Sequence, residues 1–178
     1  VTTILKDKPD TEKEESGLQF ITAGLMSTSE LSIIQAWKEI YVFGERARKM
    51  VGMVKDLYEE NDETKFNQLH ERINKYEDIC DHMEVEIASY LGKVADGRLS
   101  DQSKREVQKM MRIVSELESV GASNYNLARY LTYRHRDQLK FDEEQRRNIE
   151  TMNMLLTQAI GMMLGAIDRQ QVTDHEFA

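Results

Sequence analysis

The sequence predicts an all-α fold, an elongated up-and-down bundle of four long antiparallel helices. Three observations predict it. Apolar residues recur at steps of three and four along four segments, which is the period of one helix face. A residue typical of helix caps precedes each segment. The 178 residues include one Pro and nine Gly, so few residues interrupt the helices, and the short connections make neighbouring helices antiparallel.

The first two helices are predicted at residues 30–58 and 63–94. Ser27 and Glu30 have the spacing of a capping box, and Asp62 precedes the second helix. The second helix has the most regular pattern, a coiled-coil-like seam with alternating steps of three and four. Its seam residues are Phe66, Leu69, Ile73, Tyr76, Cys80, Met83, Ile87 and Tyr90.

The third helix is predicted at residues 102–136, with Ser103 and Glu106 as its capping box. Its seam has the same rhythm and is expected to pack against that of the second helix. It consists of Val107, Met110, Val114, Leu117, Gly121, Asn124, Ala128 and Leu131. The small residues at 121–124 allow another backbone, or a ligand, to come close.

The fourth helix is predicted at residues 143–167, with Asp142 and Gln145 at its start. Its apolar face is broad, and we expect it to pack on the first three helices or on the same face of a second copy. The residues of this face are Ile149, Met152, Leu155, Leu156, Ile160, Met163 and Ile167.

The chain is predicted to divide into a polar N-terminal arm, residues 1–17, and a helical domain, residues 18–178. The arm lacks the apolar stretch of a secretory signal. Residues 18–26 are apolar without a clear period, and we expect them to lie extended against the bundle. The longest apolar run, residues 155–167, is shorter than the roughly 20 residues that span a bilayer as a helix.

Charge and motifs exclude several classes of function. The net charge of −8 opposes binding to a phosphate backbone, so nucleic acid is not an expected partner. The single cysteine, Cys80, supplies neither an internal disulfide nor a multi-thiolate metal site. The sequence has no Gly-rich phosphate loop, nucleophile elbow or paired-histidine metal spacing, so we do not expect an enzyme.

Polar side chains form a stripe beside the seam of the second helix, with three carboxylates in its second half and Glu118 on the matching flank of the third helix. The stripe consists of His70, Asn74, Glu77, Asp81 and Glu84. Stacked carboxylates repel each other, so they need Lys or Arg from adjacent helices or a bound metal ion. A solvated helix face is the simpler interpretation.

A basic cluster ends the third helix. It comprises Arg129, Arg134, His135 and Arg136. These side chains suit the negative end of the helix dipole. Contact with anionic lipid headgroups or with the surface of a transporter is the alternative interpretation.

The segment 117–128, LESVGASNYNLA, resembles the LERIGDHAxNIA signature of the PhoU family. The two are in register at Leu117, Glu118, Gly121, Asn126 and Ala128. Glu77, Asp81 and the run EVEI at 84–87 resemble the acidic motif one helix earlier. The run FITAGLM at 20–26, followed by a helix with Ala36, Lys38 and Glu39, is similar to the start of the PhoU-like domain in bacterial sodium/phosphate cotransporter family proteins.

The resemblance covers roughly residues 19–167. It implies one spectrin-like three-helix unit plus the first helix of a second unit, so the chain is expected to belong to a longer protein. In the family, signature Glu and Asp residues contribute to multinuclear iron or zinc sites. Here Ala122 stands in place of the signature aspartate and cannot ligate a metal. The candidate ligands for iron, zinc or manganese are therefore Glu77, Asp81, Glu84 and Glu118.

The resemblance implies a cytosolic regulatory domain on the cytoplasmic side of the membrane. Its partner would be the transmembrane part of the same sodium-dependent phosphate cotransporter, contacted through helices and without catalysis. The alternative is a soluble, metal-binding PhoU-type regulator of phosphate transport and signalling. A coiled-coil scaffold without a ligand is the third interpretation.

Overall fold

A computed structural model describes residues 18–21 and 28–175, and the fold prediction is confirmed for them. Four helices follow one another, and no strand occurs within these ranges. They are α1 (Ser29–Glu59), α2 (Glu63–Ala95), α3 (Asp101–Arg136) and α4 (Glu143–His175). None of these helices has an apolar stretch of the length that a bilayer span requires. The predicted arm, residues 1–17, and residues 22–27 lie outside the described residues.

Two of the predicted helix starts are confirmed. The carboxylate of Asp62 accepts a hydrogen bond from the Lys65 backbone N–H at 2.9 Å, which opens α2. At the start of α4, Asp142 and Gln145 cap each other reciprocally. The Gln145 N–H donates to Asp142 Oδ1 at 2.8 Å, and the Asp142 N–H donates to Gln145 Oε1 at 3.0 Å. Both caps satisfy backbone donors that the first turn leaves free.

The start of α3 differs from the prediction. The α3 helix begins before Ser103, because the hydroxyl of Ser100 accepts the Ser103 N–H at 3.1 Å and forms the cap. Thr28 precedes α1 and makes no side-chain capping bond, while the predicted cap Ser27 lies outside the described residues. Ser and Thr are consecutive at residues 27–29, and α3 has serines at both 100 and 103, so spacing alone did not identify the cap.

The first three helices pack against one another along their seams. In α2 the predicted seam is buried apart from Leu69, which is half-buried, and in α3 all eight seam residues are buried. At the crossing of α2 and α3, a Cβ added to Gly121 would lie 3.3 Å from Cys80 Cβ. The small residues of α3 therefore allow the close approach of a neighbouring helix.

The α4 helix packs mainly on α1, and side chains of α3 also reach it. Val120 of α3 packs against the cluster that contains Ile160 and Leu164, and the Lys109 ammonium donates to Gln170 Oε1. Ile160, Leu164 and Ile167 are buried where α4 meets α1. A Cβ added to Gly44 of α1 would lie 2.6 Å from Leu164 Cδ2, so this glycine makes room for α4. The C-terminal half of α4 is thus fixed to the bundle.

The N-terminal half of α4 does not pack on the first three helices, which was one of the two arrangements expected for its apolar face. Met152 and Leu155 are 69% and 56% exposed, Leu156 is also exposed, and Ile149 and Met163 are half-buried. A cavity of about 460 Å³ separates this half from the C-terminal end of α1. A second cavity, of about 570 Å³, lies between the C-terminal half of α4 and the first half of α3.

The α4 helix also continues beyond its predicted end at residue 167, to His175. The apolar period stops at residue 167 because the later residues are mostly polar. Residues 168–175 contain neither Gly nor Pro, so nothing in them terminates the helix.

Candidate functional site

The four predicted carboxylates lie on the paired helices α2 and α3. Glu77, Asp81 and Glu84 follow one another on α2, and Glu118 lies on α3 one turn before the Gly121 contact with Cys80. Asp81 is exposed and the other three are half-buried. We call these four residues the acidic face.

The charges of the acidic face act on one another. Partial burial raises the pKa of Glu77, and the negative charges of Asp81, Asp78 and Glu118 raise it further. Partial burial also raises the pKa of Glu84, with further contributions from Glu118 and Asp81. Because Glu118 of α3 contributes to the raised pKa values of Glu77 and Glu84 on α2, the two helices bring these carboxylates close enough to interact.

A cation from α1 lies in the same neighbourhood. Burial raises the pKa of Cys80 to about 12, and the positive charge of Arg46 opposes that rise. The carboxylates of Asp81, Glu77 and Glu118 act on the same thiol in the opposite sense. Arg46 is therefore a counter-charge that the sequence analysis did not identify, since the rotation of α1 against α2 is needed to place it there.

The residues present do not fit the multinuclear metal site that the resemblance implies. Among the residues that the structure describes, no group of three or more His, Cys, Asp and Glu side chains is placed to hold a metal ion. Ala122 follows Gly121 and offers no ligand atom. The acidic face is chemically a set of repelling carboxylates, and metal binding by it stays a prediction.

The basic cluster closes one end of the bundle. The His135 ring stacks on Phe66 with centroids 4.1 Å apart. The Arg134 guanidinium lies over the rings of Tyr58 and Phe141 and donates to the Tyr58 carbonyl at 3.4 Å. These contacts join the last turn of α3 to α1, α2 and the α3–α4 connection, so the structure gives these two residues packing roles.

A second polar site joins the N-terminal segment to α1. The side chain of Glu39 is fully buried, and its carboxylate accepts the Gln19 N–H at 2.9 Å and the Phe20 N–H at 2.7 Å. The Lys38 ammonium lies 5.8 Å from the centre of the Phe20 ring, and Ile21 is buried in the core. We call this set the Glu39 clasp.

The sequence contains a signal for the clasp, although the sequence analysis used Glu39 only as part of a resemblance. Glu39 lies on the inward side of α1, between Ala36, Ile40 and Phe43, all fully buried. A carboxylate inside an apolar face needs hydrogen-bond donors. The predicted extended packing of residues 18–26 agrees with the clasp at residues 18–21, and residues 22–26 lie outside the described residues.

These features define an all-helical domain made of a three-helix unit with a fourth helix attached to its first. Residues 40–131, which run from α1 through most of α3 and make up more than half of the chain, match the PhoU domain. The chain belongs to the PhoU domain family, and this membership indicates a regulatory role related to phosphate transport. Among curated proteins and solved structures, no match to the chain is found.

Proposed function

We propose that this chain is the cytoplasmic regulatory domain of a sodium-dependent phosphate cotransporter. It would act through helix contacts with the transmembrane part of the same protein. The observation that carries the proposal is the Glu39 clasp. The clasp uses Phe20, Lys38 and Glu39, and these residues belong to the stretch that resembles the start of the PhoU-like domain in cotransporter proteins.

The clasp supplies a physical route for regulation. Hydrogen bonds to a buried carboxylate are strong because the charge has no competing water. They fix the backbone of residues 19 and 20 to α1, and α1 contacts each of the other three helices. A displacement of the chain before residue 18 would therefore be transmitted to α1 and from there to the rest of the domain.

The test uses the protein encoded by the complete reading frame, reconstituted into liposomes. A sodium gradient should drive phosphate uptake. Glu39→Gln removes the charge that holds Gln19 and Phe20, and we expect it to change the rate of that uptake. Glu86→Gln is the matched control, because Glu86 is an exposed glutamate of α2, and it should leave uptake unchanged.

Equal melting temperatures of the two variants would show that folding is not the cause of the difference. Uptake that ignores the sodium gradient, or a protein without phosphate transport, would contradict the proposal. Unchanged uptake in Glu39→Gln would remove the clasp as the route of regulation.

The rival proposal is a soluble PhoU-type regulator that binds iron, zinc or manganese on the acidic face. The pKa values of Glu77 and Glu84 favour it: partial burial raises both, and the negative charges of Asp81 and Glu118 raise them further, an effect that a divalent cation would oppose. Metal that binds only the folded state raises the melting temperature. Glu118→Gln should then abolish the shift, and Glu116→Gln, an exposed glutamate on the same helix, should keep it. No shift with any of the three metals would eliminate this rival.

A further inference from the structure

The cavity of about 570 Å³ between α3 and α4 is also bounded by α1. Trp37 of α1 and Ile167 of α4 line it, and both residues are buried in the core. Ile113 and Met163 line it as well, and both are packed against that core. We call this space the Trp37 cavity. Sites that bind small molecules have volumes of roughly 300–1,000 Å³ and mostly apolar walls, so its size and lining are those of such a site.

The helices around the cavity are held in place by contacts within the chain. Leu164 and Ile167 are buried where α4 meets α1. The hydrogen bond from the Lys109 ammonium to Gln170 Oε1 joins two of the walls, since both residues line the cavity. The cavity therefore belongs to the docked half of α4 and the three-helix unit, and not to the exposed half of α4.

One polar atom of the lining side chains has no partner. The indole N–H of Trp37 is buried, yet it makes no hydrogen bond with any residue that the structure describes. Such a donor is costly, and most buried donors in proteins are paired. The Lys109 ammonium lies 5.2 Å from the centre of the Trp37 ring. A ligand that shifts this flexible side chain would reach the indole and supply the missing acceptor.

The charged side chains of the lining favour an anion. Lys109 and Arg112 of α3 line the cavity, and Glu116 is the one carboxylate among the described residues that do so. The lining is thus net positive, although the chain has a net charge of −8. The Lys109 ammonium already lies 3.7 Å from Glu106 Oε2, so we assign a further negative charge to Arg112.

We propose that the Trp37 cavity binds a small amphipathic carboxylate, which is an apolar chain or ring with one negatively charged end. The carboxylate pairs with Arg112 and accepts the indole N–H, and the apolar part contacts Ile113 and Ile167. This site goes beyond the proposed function, because neither the Glu39 clasp nor the acidic face takes part in it. An occupant would contact α1, α3 and α4 together and so hold α4 to the three-helix unit.

Octanoate is the probe, and the fluorescence of Trp37, the single tryptophan of the chain, reports its binding. Octanoate should change this fluorescence to saturation. Hexanoate should bind about tenfold more weakly, because it buries two fewer methylene groups. Octylammonium has the same chain and the opposite charge, and it should bind at least about tenfold more weakly, because the lining cations repel it.

Two substitutions with matched controls locate the site. Arg112→Gln should weaken octanoate binding by about threefold or more, because it removes the charge that pairs with the carboxylate. Arg105→Gln, at an exposed arginine of α3 outside the lining, should not. Ala166→Phe should block binding, because the ring would fill the cavity that Ala166 lines. Ala159→Phe, at an exposed alanine of α4 outside the lining, should keep it.

Calorimetry extends the test to Trp37→Phe, which keeps an aromatic ring but lacks the N–H and should bind octanoate about fivefold more weakly. Circular dichroism on each variant shows whether the fold is kept. Octylammonium binding as tight as that of octanoate would overturn the proposal, as would unchanged binding in folded Arg112→Gln, Trp37→Phe or Ala166→Phe. It would also be overturned if the protein encoded by the complete reading frame bound no octanoate in calorimetry, because another part of that protein would then fill the cavity.

Discussion

The seams of α2 and α3 and one face of α4, formed by Met152, Leu155, Ala159 and Met162, have the same three-four spacing but opposite environments. Met83 on α2 is 2% exposed, whereas Met152 on α4 is 69% exposed. The first two seams lie between three helices that contact one another, whereas α4 packs mainly on α1 and has its N-terminal half exposed. Spacing determines which residues share a face of a helix, but the neighbours of the helix determine whether that face is buried.

The largest expected effect is a contrast between two methionines. Met83→Ala should lower the free energy of unfolding by about 2–5 kcal/mol, because it removes buried contacts and leaves a cavity. Met152→Ala should lower it by less than about 0.5 kcal/mol, since the side chain is mostly in water. Urea denaturation at low protein concentration measures both. Equal losses would show that the face of α4 that carries Met152 is packed within a single chain.

Two glycines of α1 test how the C-terminal half of α4 packs on α1. Gly44→Ala should lower the free energy of unfolding by about 1–2 kcal/mol, because the new Cβ meets buried Leu164. Gly52→Ala should raise it by about 0.5–1 kcal/mol, since Gly52 is exposed and no atom lies within 4 Å of the added carbon. Thermal melts of the two variants measure both changes. If Gly44→Ala is as stabilising as Gly52→Ala, then α4 is not docked at this point.

The smallest expected effect concerns the acidic face. The folded state raises the pKa of Glu77, so its ionised form is less favourable in the folded than in the unfolded chain. Its contribution to stability is therefore retained below the ordinary value of 4.5 and lost as pH rises through the folded-state pKa. Glu77→Gln should raise the free energy of unfolding at neutral pH by less than about 1 kcal/mol.

That gain should shrink as pH falls below the ordinary glutamate value. Denaturation at several pH values measures the trend, with Glu86→Gln as the exposed control on the same helix. A gain that does not depend on pH would mean that the cost of ionising Glu77 in the folded chain is not its cause.

Much of the fold was predictable because its signals are local. The three-four spacing identified the seams of α2 and α3, and the pair Asp142 and Gln145 identified the start of α4. The exposure of Met152 and Leu155 was not predictable, because it depends on which helices surround α4. The length of α4 was underestimated, since a helix can continue through polar residues whose side chains need no partner.

The candidate sites were predictable to different degrees. The register of α2 and the signature on α3 placed Glu77 and Glu118 on facing flanks, as their electrostatic interaction shows. The counter-charge Arg46 and the clasp at Glu39 depend on how α1 is rotated and on backbone groups of residues 19 and 20. Neither is encoded by spacing within one helix.

Hydrogen exchange of backbone amides, followed by mass spectrometry at submicromolar concentration, tests most directly whether α4 is held by its C-terminal half alone. At low concentration, contacts between chains do not add to the protection of α4. We predict fast exchange at residues 146–156, slower exchange at residues 160–167, and the slowest exchange in the paired seams of α2 and α3, because amide protection follows tertiary packing. Exchange at residues 146–156 as slow as that around Met83 would contradict this account.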